Sequence, residues 1–111
     1  MAIVIKLADR GELIGQLVDK LKQQGITDAA VVSVVGAVRS ATLATMRADD
    51  PKTMVLSEHS YAEVSGVGEI EHGVPNLHVT LGLERGQAFS GHLHAARIGG
   101  PYFVNVYLLP Q

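Results

Sequence analysis

Residues 76–94 read NLHVTLGLERGQAFSGHLH, two runs of alternating character joined by Glu84-Arg85-Gly86. That tripeptide suits a three-residue hairpin loop, a type I turn closed by a glycine in the left-handed conformation, which glycine enters without steric cost. The loop sets a register: Leu83 faces Gln87, Leu81 faces Phe89, Val79 faces Gly91 and Leu77 faces Leu93, a mainly apolar set for the buried side. Side chains alternate with period two, so the other side carries Asn76, His78, Thr80, Ser90, His92 and His94, with His78 across from His92 and Asn76 across from His94. Opposed residues have Cβ atoms about 4.5 to 5.5 Å apart, close enough for two imidazoles to share one ion. Three neutral imidazoles, from His78, His92 and His94, would suit zinc or another divalent metal at about 2.0 to 2.1 Å, leaving an open position. The same pattern also serves half-exposed polar residues or hydrogen-bonding partners at a subunit contact.

Working outward, Gly99-Gly100-Pro101 breaks the chain before a last strand, Tyr102 to Leu109. Upstream, His72, Gly73 and Pro75 mark a turn. An extended region from about Met54 to Ile70 precedes it, in which Gly66 and Gly68 point to a bulge or a close backbone approach. Asp49 to Lys52 reads as a loop. Ala29 to Val35 is a continuous β-branched run expected to be buried on both faces, broken at Gly36 before a second run from Val38 to Met46. Leu13, Ile14, Leu17, Val18 and Leu21 recur on one helical face, with Asp9 as N-cap, Glu12 completing a capping box and Gly25 as the stop. Ala2 to Leu7 is the first strand. The expected fold class is α+β: a single domain over 1–111, mostly antiparallel sheet, with one main amphipathic helix.

The 111 residues include no cysteine, so any metal would need His, Asp or Glu. The net charge is −2 and the nine basic residues are scattered, which is poor material for a phosphate-binding stripe. No apolar run approaches the roughly 20 residues that span a bilayer, and Met1 to Leu7 lacks the features of a secretory signal, so the expected location is cytoplasmic, with no membrane partner. His59 and His72 read as solvated loop residues. There is no Gly-x-Ser-x-Gly elbow, and the glycines at 66, 68 and 73 lack the strand-to-helix context of a phosphate loop.

The segment Asn76-Leu77-His78-Val79-Thr80-Leu81-Gly82, followed by Ser90-Gly91-His92-Leu93, resembles the "HxHVxLG … GGHL" signature of the plants-and-prokaryotes conserved (PPC) domain family. Ser33-Val34-Val35-Gly36-Ala37-Val38-Arg39-Ser40-Ala41-Thr42-Leu43 is similar to its "SGIGALRRATL" strand pair, and Glu63-Val64-Ser65-Gly66 to the end of its "FEILSLSG" segment. The resemblance implies a compact PPC-domain-like fold that assembles as a homotrimer. It also implies a candidate DNA-binding label, which plant members owe largely to a separate AT-hook; no Arg-Gly-Arg-Pro core occurs here. Prokaryotic relatives made of the domain alone look more like holders of a histidine-bound metal, with a fold similar to that of α-acetolactate decarboxylase. The chain departs from the pattern at Asn76, which stands at the first histidine position, and at His94, where the family usually has an apolar residue.

Three functions are consistent with these residues. The first is a trimeric accessory module whose His78/His92/His94 face, with Asn76 beside it, holds a metal or a small anionic ligand; Arg39 would clamp the anion and Glu63 would add a carboxylate. The second is DNA binding, which the charge does not support. The third is a metal-dependent enzyme in which Glu63 moves a proton.

Overall fold

A computed structural model of the chain describes residues 1–44, 53–55 and 61–111. The expected Asp49–Lys52 loop, His59, and the inner ends of the runs on either side lie outside the described residues.

Among the described residues eight strands form one antiparallel sheet: β1 (Ile3–Leu7), β2 (Ala29–Val38), β3 (Ser40–Ala44), β4 (Thr53–Val55), β5 (Ala62–Glu71), β6 (Val74–Gly82), β7 (Ala88–Arg97) and β8 (Val104–Pro110), in the order β1-β8-β2-β5-β6-β7-β3-β4. The helix α1 (Leu13–Gln24) packs on one face of this sheet, against β7, β1 and β6. Its apolar stripe, Leu13, Leu17 and Leu21, is buried against the inward residues of the strands, among them Ile5, Leu7, Leu77, Val79, Leu81, Leu93, Val106 and Leu108. Burying side chains of this size contributes roughly 1.5 to 3 kcal/mol each. The α+β expectation is met.

The start of α1 differs from the capping box read in the sequence. The helix begins at Leu13, so Glu12 is itself the N-cap: its carboxylate accepts from Ile14 N–H at 2.8 Å and Gly15 N–H at 2.9 Å. The same carboxylate accepts from Ala96 N–H in β7 at 2.9 Å, tying helix to sheet. Asp9 instead accepts from Gly100 N–H at 3.2 Å. A glutamate has the reach to serve its own helix and a neighbouring strand together, and the strand's contribution is invisible in local spacing. The other helix end follows expectation, with Gly25 in the left-handed conformation (φ 68°).

Gly36 does not interrupt β2. It lies where the backbone of Phe103 approaches so closely that a Cβ would fall 2.1 Å from the Phe103 carbonyl oxygen. Nor is β2 buried on both faces. Val32 and Val35 are 47% and 50% exposed, because the helix covers one side of the sheet and no described element covers the other. Val4 and Val67, at 53% and 55%, share this open face.

Candidate functional site

The hairpin of β6 and β7 pairs in the expected register. His78 opposes His92, Val79 opposes Gly91, Thr80 opposes Ser90 and Leu81 opposes Phe89. The turn closes through Leu83 N–H to the Gln87 carbonyl at 2.8 Å, with both Arg85 (φ 62°) and Gly86 (φ 73°) left-handed. The left-handed stretch therefore begins one residue earlier than a type I turn closed by glycine alone would have it. Residues 75, 77, 79 and 81 of β6 are buried, and residues 76, 78 and 80 point to the open face.

Two imidazoles meet on that face. The rings of His78 and His92 lie 6.1 Å apart, centroid to centroid, in an edge-on arrangement. His78 is exposed and His92 half-buried. Beside them the hydroxyls of Thr80 and Ser90 share a hydrogen bond of 2.6 Å. Val67 of β5 opposes His78, and Ala44 of β3 opposes His92, so one row across the sheet runs Val67, His78, His92, Ala44. Gly66 and Gly68 flank that row. A Cβ at either would meet a β6 carbonyl oxygen, that of His78 at 2.4 Å or that of Asn76 at 2.2 Å, so both mark a close approach to the strand that carries His78.

The donors can be tested against a metal on geometry alone. An imidazole bound through nitrogen at about 2.0 to 2.1 Å puts its ring centre about 3.2 Å from the ion, so two rings sharing one ion stand at most about 6.4 Å apart. The observed 6.1 Å lies inside that collinear limit, and the rings would have to draw together to about 5.2 Å to share an ion at the tetrahedral angle zinc prefers. The pair could offer at most two ligands: among the described residues no group of three His, Cys, Asp or Glu side chains is gathered to hold a metal.

His94 does not join them, and the reason is a bulge. β7 pairs with β3 as Leu43 to Leu93 and then Thr42 to Ala95, leaving His94 as the extra residue. Such a residue is unpaired and its side chain is re-aimed. The paired ladder between β6 and β7 ends at His78 and His92, so the expected facing of Asn76 and His94 is not formed, although both side chains are exposed. The remaining sequence candidates stand elsewhere. Glu63 is exposed and opposes Gly82, four residues along β5 from the partner of His78, a distance of about 13 Å at the usual strand rise. Arg39 sits at the bend between β2 and β3, with its N–H on the Arg97 carbonyl and its side-chain stem beside Gly99. His72 is an exposed residue of the turn between β5 and β6, where its N–H is held by Asp28 at 3.2 Å. Hydrogen bonds from His72 N–H and the Thr27 hydroxyl lower the Asp28 pKa.

Sequence reasoning missed Val67, the apolar neighbour of the pair. The alternation of Glu63, Ser65, Val67 and Glu69 places it on this face once β5 is aligned with β6.

The comparisons with known proteins agree with this architecture. The family model for the Plants and Prokaryotes Conserved (PCC) domain matches residues 1–109. A plant- and prokaryote-conserved protein from Pyrococcus horikoshii superposes with a TM-score of 0.81 at 20% identity, over 100% of this chain and 79% of that one. A metal-containing protein from Archaeoglobus fulgidus gives 0.74 at 26% identity, over 99% and 79%. A candidate DNA-binding protein from Bacteroides thetaiotaomicron gives 0.74 at 23% identity, over 95% and 76%. No curated protein matches the sequence. A matched family model spanning nearly the whole chain, on the sheet and hairpin described above, places this chain in the Plants and Prokaryotes Conserved domain family.

Proposed function

We propose that the chain is a self-associating, homotrimeric binding module in which His78 and His92 hold a divalent metal ion, zinc or one of similar preference, on the open sheet face. The observation that carries this reading is the directly opposed pair of rings 6.1 Å apart. Imidazole nitrogen suits zinc and its neighbours, and the absence of cysteine leaves histidine as the nitrogen or sulfur ligand available. The similarity at 26% identity to a metal-containing protein from Archaeoglobus fulgidus supports the same reading. A divalent ion held here would offer a Lewis-acidic position to an oxygen of a small anionic ligand. Thr80, Ser90 and Asn76, exposed on the same face, supply hydrogen-bonding groups that would orient such a ligand. Self-association rests on the exposed valines, since a domain of this size gains from covering apolar surface.

DNA binding is the weaker reading. The likeness to candidate DNA-binding proteins is at 23% and 17% identity and carries the fold alone. The open face bears Glu63 and Glu69 on β5 rather than a cationic stripe.

The test is titration of purified, chelator-treated protein with zinc by calorimetry, with elemental analysis of the dialysed complex. Wild type is expected to retain zinc, and His78→Ala and His92→Ala each to weaken binding at least about tenfold, the loss already felt when a group that only hydrogen-bonds a metal ligand is removed. Protein that retains no metal after supplementation, or variants that bind as wild type does, would refute it.

A further inference from the structure

Among the described residues β1 ends the sheet, paired with β8 on one side, and the bonds of its neighbours show which of its groups face outward. Ala37 N–H of β2 donates to the Phe103 carbonyl at 3.2 Å, which makes Gly36 and Val104 a pair without mutual bonds and leaves Val35 and Asn105 to exchange theirs. The main-chain groups of Asn105 are therefore turned to β2. Asn105 is also the partner of Lys6, so the N–H and C=O of Lys6 point away from β8, and by alternation those of Val4 and Ala8 do too. Such a row of outward groups is a template for a further strand.

The helix covers part of that row. Gln16 donates through Nε2 to the Ala8 carbonyl at 2.7 Å and accepts at Oε1 from Ala8 N–H at 3.3 Å, so one side-chain amide takes both outward groups as a neighbouring strand would. A third bond, from Nε2 to the Gly11 carbonyl at 3.0 Å, fixes that amide. Lys20, about one turn further along α1, donates through Nζ to the Lys6 carbonyl at 3.2 Å. Neither residue belongs to the buried stripe of Leu13, Leu17 and Leu21. The next outward position is Val4, 53% exposed, in the run Ile3-Val4-Ile5, whose β-branched residues favour extended pairing.

We infer that β1 is a strand-docking edge that α1 holds shut through Gln16 and Lys20, and that its occupant, once those side chains are gone, is β1 of a second copy. Antiparallel pairing about a two-fold axis brings the same outward groups from both copies, so the edge is complementary to itself without any further surface. This concerns the edge of the sheet and not its open face, and it is independent of the reading of His78 and His92.

Sedimentation velocity of the full chain in the presence of a chelator tests it, with circular dichroism to check that each variant folds. The double variant Gln16→Ala with Lys20→Ala is expected to reach about twice the weight-average mass of wild type at the same concentration, the doubling that a closed two-fold pairing gives. Adding Val4→Pro is expected to return it to the wild-type mass. The Val4 N–H points outward, so proline leaves the β8 ladder whole while removing a donor from the edge and blocking approach with its ring. Lys20→Arg, which keeps a donor, is expected to sediment as wild type does. A folded double variant that sediments as wild type does up to the highest concentration reached, or a triple variant as heavy as the double, would overturn the inference. Should the double variant fail to fold, Lys20→Ala alone, which removes one exposed bond, carries the same expectation of heavier species and the same refutation.

Discussion

Replacing Glu12 by alanine removes a carboxylate that three backbone N–H groups share: Ile14 and Gly15 in the first turn of α1, and Ala96 in β7. Loss of an N-cap costs about 0.5 to 2 kcal/mol. The N–H of Ala96, a buried residue, is left without its acceptor, which adds about 1 to 3 kcal/mol. The expected destabilisation is therefore about 1.5 to 5 kcal/mol, a large share of the roughly 5 to 15 kcal/mol that holds a domain together. Glu12→Gln keeps one acceptor oxygen and should lose about half as much. Asp9→Ala removes one exposed bond to Gly100 N–H and should cost about 0.5 to 1 kcal/mol. The assay is urea denaturation followed by circular dichroism at one fixed protein concentration, since the proposed self-association would make the midpoint concentration-dependent. A capping box with Asp9 as N-cap predicts the opposite ranking. Asp9→Ala costing more than Glu12→Ala, or Glu12→Ala falling within about 0.5 kcal/mol of wild type, would refute the assignment.

Gly66→Val would drive a side chain into the His78 carbonyl oxygen and should destabilise by about 2 to 4 kcal/mol, read as a lower urea midpoint, while Gly86→Val strains a φ of 73° in open space and should cost only about 1 to 2. Arg85→Gly relieves the left-handed strain at φ 62° and should raise stability by up to about 1 kcal/mol, read as a higher midpoint; a fall would show that the arginine side chain holds the turn. Asp28 has its pKa lowered by the His72 N–H and the Thr27 hydroxyl, so its contribution is full above its ordinary value of 3.8 and fades as pH drops through the lower folded value. Asp28→Asn should accordingly lower stability slightly in the neutral region, leave it nearly unchanged at pH below the folded value, and so flatten the acid limb of a stability-against-pH curve. An unaltered acid limb would count against it.

Much of this was legible in residues 76–94. A three-residue turn between two alternating runs leaves one register that buries Leu77, Val79 and Leu81 together, and that register alone sets His78 opposite His92. The amphipathic period of α1 and its Gly25 stop were equally local. What escaped depends on strands distant in sequence. Glu12 became a cap because Ala96 N–H came within its reach, and Gly36 was carried through β2 because Phe103 packs over it. His94 left the imidazole group because β7 must satisfy β3 as well as β6. The two ladders cannot both stay regular while Leu93 and Ala96 are buried three positions apart, so one residue is extruded. Period and turn chemistry are properties of neighbouring residues and can be read along the chain. A bulge, a shared cap and a sheet face with no described cover arise from competition among several strands for the same hydrogen bonds and the same helix, and they exist only once those strands have been brought together.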